Sequence, residues 1–101
     1  MKQHQFPSPE KLCRAKHVLK ALSNERRLLL LCQLTDGERT VTELVDFVGA
    51  GQSSISQHLA RLREDGLVKT RRSSQTVYYS LNGPEAITLI ATLYRVYCSK
   101  R

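Results

Sequence analysis

The chain contains no tryptophan, and four tyrosines and two phenylalanines are its whole aromatic complement. Its core therefore has to be built mainly from Leu, Val, Ile and Ala. Such a core in 101 residues is modest, and small chains often recover missing burial by pairing with a second copy. The length also leaves no room for a second domain with its own site. No stretch approaches the roughly 20 apolar residues needed to span a bilayer, and Met1 to Glu10 holds no apolar segment of the signal-peptide kind. A cytoplasmic protein with no membrane partner is expected. Cys13, Cys32 and Cys98 are odd in number and widely spaced, which argues against the framework of a secreted disulfide-rich domain. They remain as buried thiols, metal ligands or redox sensors. There is no Cys-x-x-Cys motif and no recognisable acid–base pair, so no enzyme and no cofactor are expected.

Acidic residues are also scarce. Nine Asp and Glu stand against 16 Lys and Arg, for a formal charge of +7 and a pI near 9.7. That balance favours a polyanionic partner, and DNA, RNA or an acidic membrane surface would each supply one. Charge alone does not choose between them.

Residues 1–9 are polar, with prolines at Pro7 and Pro9, and read as a flexible arm; residues 10–101 form one domain. From Glu10 to Leu22, Leu12, Ala15, Val18, Leu19 and Leu22 recur at helical spacing. Ser23-Asn24 offers a break and a new cap. The run Leu28 to Leu31, with Cys32 and Leu34, is too apolar for a surface helix and predicts a core helix with Cys32 buried. Thr40-Val41-Thr42-Glu43 has the capping-box pattern and starts a third helix, with Val41, Leu44, Val45 and Val48 inward, stopped by Gly49-Ala50-Gly51. A fourth helix follows, with Ile55, Leu59 and Leu62 as its apolar seam and a polar outer face. Two short helices joined by a glycine-containing turn make a helix-turn-helix. Leu67–Arg72 and Thr76–Leu81 read as strands joined by the tip Ser73-Ser74-Gln75. Pro84 suits the first turn of a last helix reaching Cys98. Ile87, Leu89, Ile90, Leu93, Tyr94, Val96 and Tyr97 cover more than one face of it, which calls for a partner surface. The expected class is mainly α with a β-hairpin wing, in the order α-α-α-α-β-β-α.

The fourth helix carries the chemistry of a groove reader. The major groove of B-DNA admits one helix, and its base edges are read by amides, hydroxyls and basic groups. Gln52 and Gln57 suit adenine edges, Ser53, Ser54 and Ser56 suit bases or phosphates, and His58 can donate to a phosphate. Arg61 and Arg63 are better placed for the backbone, and Lys69, Arg71 and Arg72 on the hairpin can reach the minor groove or its flanking phosphates. Each of these residues alone reads more simply as solvated surface. Their order along the chain, together with the charge, points to double-stranded DNA. A winged-helix module that binds only protein, or a small thiol oxidoreductase, is the rival from another class.

Leu19-Lys20-Ala21-Leu22-Ser23-Asn24-Glu25-Arg26-Arg27-Leu28, Gln52 to Arg63, Gly66-Leu67-Val68 and Val77-Tyr78-Tyr79 together resemble the ArsR family of bacterial repressors, over about residues 12 to 98. The resemblance implies a winged-helix homodimer paired through its first and last helices, with the fourth helix in the major groove of an operator. Gly51 stands where the family often has Ser, and Gly still tolerates the N-cap. Arsenic-type members carry Cys-x-Cys on the third helix, where this chain has Val45-Asp46-Phe47. Zinc- and nickel-type members place His along the last helix, and Glu85 to Arg101 contains none. Cys32 and Cys98 resemble the paired cysteines of the sulfide- and redox-responsive branch, which implies a repressor switched by an oxidant or reactive sulfur species through a disulfide or polysulfide bridge. Read without the resemblance, Cys32 is an ordinary core thiol and Cys98 a packing residue. Cys13 stays open as a bystander, an alternative resolving thiol, or a third sulfur for a soft metalloid such as trivalent arsenic.

Overall fold

The computed structural model describes residues 8–98. Five helices and three short strands follow in the order α1 (Pro9–Leu22), α2 (Glu25–Gln33), β1 (Arg39–Thr40), α3 (Val41–Val48), α4 (Gln52–Glu64), β2 (Val68–Ser73), β3 (Thr76–Leu81) and α5 (Pro84–Tyr97). The fold is the mainly helical one with a hairpin wing that the sequence predicts. Most of the expected arm lies outside the described residues, while Ser8 and Pro9 cap and open α1.

Side chains set the helix starts. Ser8 Oγ accepts from the Lys11 N–H at 3.2 Å, and Asn24 Oδ1 from the Arg27 N–H at 3.0 Å. At α3 the capping box is complete: Thr40 Oγ1 accepts from the Glu43 N–H at 3.2 Å, and Glu43 Oε1 accepts from the Thr40 N–H at 2.9 Å. Thr40→Ala removes half of that exchange and is expected to cost about 1 kcal/mol. A urea titration will show a lower midpoint with an unchanged slope.

Stops are equally local. Gly49, in the left-handed region at φ 78°, ends α3 and donates to Val45 O at 2.8 Å. After α4 the Gly66 N–H donates to Arg63 O and the Leu67 N–H to Leu62 O, at 3.0 and 2.9 Å. This is a Schellman turn, with φ 76° at Gly66. It takes Leu67, expected in the strand, into the helix stop and into the core.

One sheet has the order β1-β3-β2. The hairpin was expected; β1, which pairs Arg39 with Tyr79 and Thr40 with Tyr78, was not. The pairing of Ser73 with Thr76 carries β2 one residue further and leaves a two-residue tip, Ser74-Gln75.

The core lies where α2, α3, α4 and α5 converge. Leu30, Leu31, Leu44, Ile55, Leu59, Leu62, Leu67 and Ile90 are fully buried there. Arg14 fastens α1 to the remainder: its Nε meets Glu85 Oε2 at 3.0 Å and its Nη1 donates to Asp65 O at 2.7 Å. Two expectations for α2 need correction. Leu29 is exposed and Cys32 is only half-buried, because both face the C-terminal end of α5 rather than the centre.

A large apolar surface is left over. Leu12 and Leu19 on α1, and Ile87, Leu89, Val96 and Tyr97 on α5, stand in solvent, Tyr97 at 79% of its free exposure. The radius of gyration, 14.8 Å, exceeds the roughly 13 Å of a compact chain of this length. Among the described residues, no helix is long and apolar enough to cross a membrane.

Candidate nucleic-acid interface and thiol pair

The seam of α4 faces inward through Ile55, Leu59 and Leu62, so helical geometry turns the intervening residues out. Gln52, Ser53, Ser56 and Gln57, with Ala60, line one open face. The other two predicted groups point elsewhere. Ser54 and His58, one turn apart, are half-buried on the side towards α2. Ser54 Oγ accepts from Arg26 Nη1 at 3.3 Å. Burial first, then the nearby Arg27 and Arg26, hold the His58 imidazole below the usual histidine range.

The predicted basic residues divide in the same way. Arg61 lies 3.4 Å from Asp65, one turn on along α4. Arg63, Lys69 and Arg72 are exposed and form no ion pair among the described residues. Arg71 is engaged: both its Nε and its Nη2 donate to the Glu38 carboxylate at 2.8 Å, and its guanidinium lies 4.7 Å from the centre of the Tyr78 ring. It thus reaches from β2 over β3 to the residue before β1. Its hydrogen bonds hold the Glu38 carboxyl below the usual range. Sequence reasoning found Arg71 but missed Glu38, because nothing local connects residues separated by a helix pair.

The two cysteines singled out in sequence come together. Cys32 on α2 and Cys98 after α5 line one hollow of about 250 Å³, with Glu25, Leu28, Leu29, Leu93 and Tyr97. Burial, and then the neighbouring Cys98, push the Cys32 thiol up. Cys98 is exposed. Cys13 is exposed on α1 and does not line this hollow. Among the described residues, no three His, Cys, Asp or Glu side chains converge as metal ligands would.

A helix-turn-helix on a helical core, followed by a β-hairpin, defines a winged helix-turn-helix protein. Residues 24–70 match the model of the bacterial regulatory protein, arsR family. The transcriptional activator HlyU of Vibrio cholerae is 52% identical over 81 residues, 80% of this chain and 75% of that protein. Its solved structure superposes with a TM-score of 0.86, covering 91% of this chain and all of that one, at 47% identity. The biofilm growth-associated repressor of Xylella fastidiosa is 42% identical over 83% of this chain and 74% of its own. A homodimeric winged helix-turn-helix DNA-binding domain from Mycobacterium bovis superposes with a TM-score of 0.79 at 32% identity, over 95% of this chain and 89% of its own. The chain belongs to the arsR family of DNA-binding transcription regulators.

Proposed function

We propose that the protein is a homodimeric repressor whose affinity for an operator is switched by thiol oxidation or persulfide chemistry at Cys32 and Cys98. The observation that carries this reading is the shared hollow: two thiols far apart in sequence border one small apolar space. The dimer is supported by the exposed apolar residues of α1 and α5 and by the homodimeric Mycobacterium bovis domain. In the complex, α4 of each protomer enters a major groove, so half-sites lie about one helical turn apart. Gln52, Ser53, Ser56 and Gln57 face the base edges. Arg61, Arg63, Lys69 and Arg72 anchor the backbone. Arg71, bound to Glu38, holds the wing in place beside them.

The switch needs a persulfide RSSH as oxidant. One cysteine thiolate attacks its outer sulfur; the donor S–S bond breaks, a cysteine persulfide forms and RS⁻ leaves. The second thiolate then attacks the Sγ of that persulfide, forming the Cys32–Cys98 disulfide and expelling HS⁻. The two thiol protons end on RSH and H₂S. The bridge ties α2, which carries the core beneath α4, to α5 at the dimer face. A change of 1.4 kcal/mol in the coupling between bridge and DNA is a tenfold change in affinity.

Fluorescence anisotropy with duplex DNA, before and after glutathione persulfide, tests the switch when combined with intact mass. The wild type is expected to lose at least roughly tenfold in affinity and to lose the mass of two hydrogens. Cys32→Ser and Cys98→Ser should each bind as the reduced wild type does and ignore the persulfide. An unchanged response in either variant overturns the paired-thiol reading. Release by trivalent arsenic, with no bridge in the mass, would establish a metalloid-responsive repressor instead.

A further inference from the structure

Arg26 has no role in the interface described so far, and its surroundings are unusual. It lies in the first turn of α2, whose start is fixed by the Asn24 cap. A positive side chain there opposes the helix dipole, which favours acids at that end. Glu25 meets that preference and Arg26 works against it. Arg26 is exposed and forms no ion pair among the described residues. Among the described residues its one polar side-chain contact is the 3.3 Å bond to the neutral Ser54 hydroxyl on α4, which directs it towards that helix and leaves its charge uncompensated. The adjacent Arg27 differs, turning its Nε onto Ala21 O at 3.2 Å within the fold.

We propose that the DNA interface extends to the start of α2, where Arg26 grips a backbone phosphate beside the reading helix and Ser54 is its positioning residue. This deepens, and rests on, the reading of α4 as the groove helix. A guanidinium held by one neutral bond keeps its other N–H groups for two oxygens of one phosphate, a geometry that lysine lacks. Ser54, half-buried and bonded to Arg26, therefore leaves base reading to Gln52, Ser53, Ser56 and Gln57.

The test compares reduced full-length wild type, Arg26→Gln, Arg26→Lys and Ser54→Ala on two duplexes, over a range of salt. One duplex has random sequence, and the other is selected by the wild type from a random pool. Arg26→Gln is expected to weaken both duplexes by the same factor, roughly tenfold, and to lower the salt slope by about one unit per protomer. Arg26→Lys should retain the slope. Ser54→Ala should lose affinity equally on both duplexes. Urea midpoints equal to the wild type's will show that exposed Arg26 does not act through folding. If the wild type binds both duplexes and Arg26→Gln keeps its affinity and slope, the phosphate anchor is overturned. A loss confined to the selected duplex overturns it too, because it would make Arg26 a base reader. Failure of the wild type to bind either duplex removes the underlying DNA-binding reading instead.

Discussion

Raising salt from about 50 to 200 mM will weaken binding of the reduced protein to duplex DNA by roughly 10³- to 10⁵-fold, as for a dimer that neutralises about six to ten phosphates. Arg63, Lys69 and Arg72 stand exposed without an ion pair among the described residues, and Arg61 is half-engaged with Asp65. Two copies of this set fall within that number. Each phosphate neutralised releases condensed counterions, and the gain shrinks as bulk salt rises. The measurement is log affinity against log salt, for random and selected duplexes. Parallel lines separated by a constant gap are expected, because phosphate contacts set the slope and the α4 face sets the gap. A flat line would show that the +7 charge serves another partner.

The second large effect concerns folding. Leu59→Ala is expected to lower stability by about 2–5 kcal/mol. Leu59 is fully buried on the inner face of α4, between Ile55 and Leu62, and its removal leaves a void beneath the reading helix. With so modest a core, that loss is a large part of the total. Urea unfolding at fixed protomer concentration checks it, since pairing makes the midpoint depend on concentration. Wild-type stability in Leu59→Ala would show that burial beneath α4 does not hold the reading helix in place. Alanine at exposed Gln57 should leave the unfolding free energy within about 0.5 kcal/mol of wild type.

Much of the helical frame was legible because its causes are local. The Thr40–Glu43 capping box spans one turn, and the glycine stop at Gly49 acts within four residues of backbone. The seam of Ile55, Leu59 and Leu62 follows from helical period alone, and all three are fully buried. The paired cysteines were found through resemblance, since burial and proximity are not written in spacing. Missed features share a different cause. Strand β1 has two residues, too few to display a period, and exists because Tyr78 and Tyr79 offer a ladder from far along the chain. Arg26 did leave a signal, a basic residue where a helix start prefers an acid, but nothing in sequence could pair it with Ser54.

The sequence by itself determined where helices begin and end, which face of α4 is apolar, and the basic charge, because caps, period and composition act over a few residues or none. Only the tertiary structure decided which of the polar groups remain available. It turned Ser54 and His58 towards α2, bound Arg71 to Glu38, and brought Cys32 and Cys98 to one hollow. Those outcomes depend on the packing angles of helices and on a sheet closed between distant segments. Such geometry arises only when burial of the whole apolar set is satisfied at once.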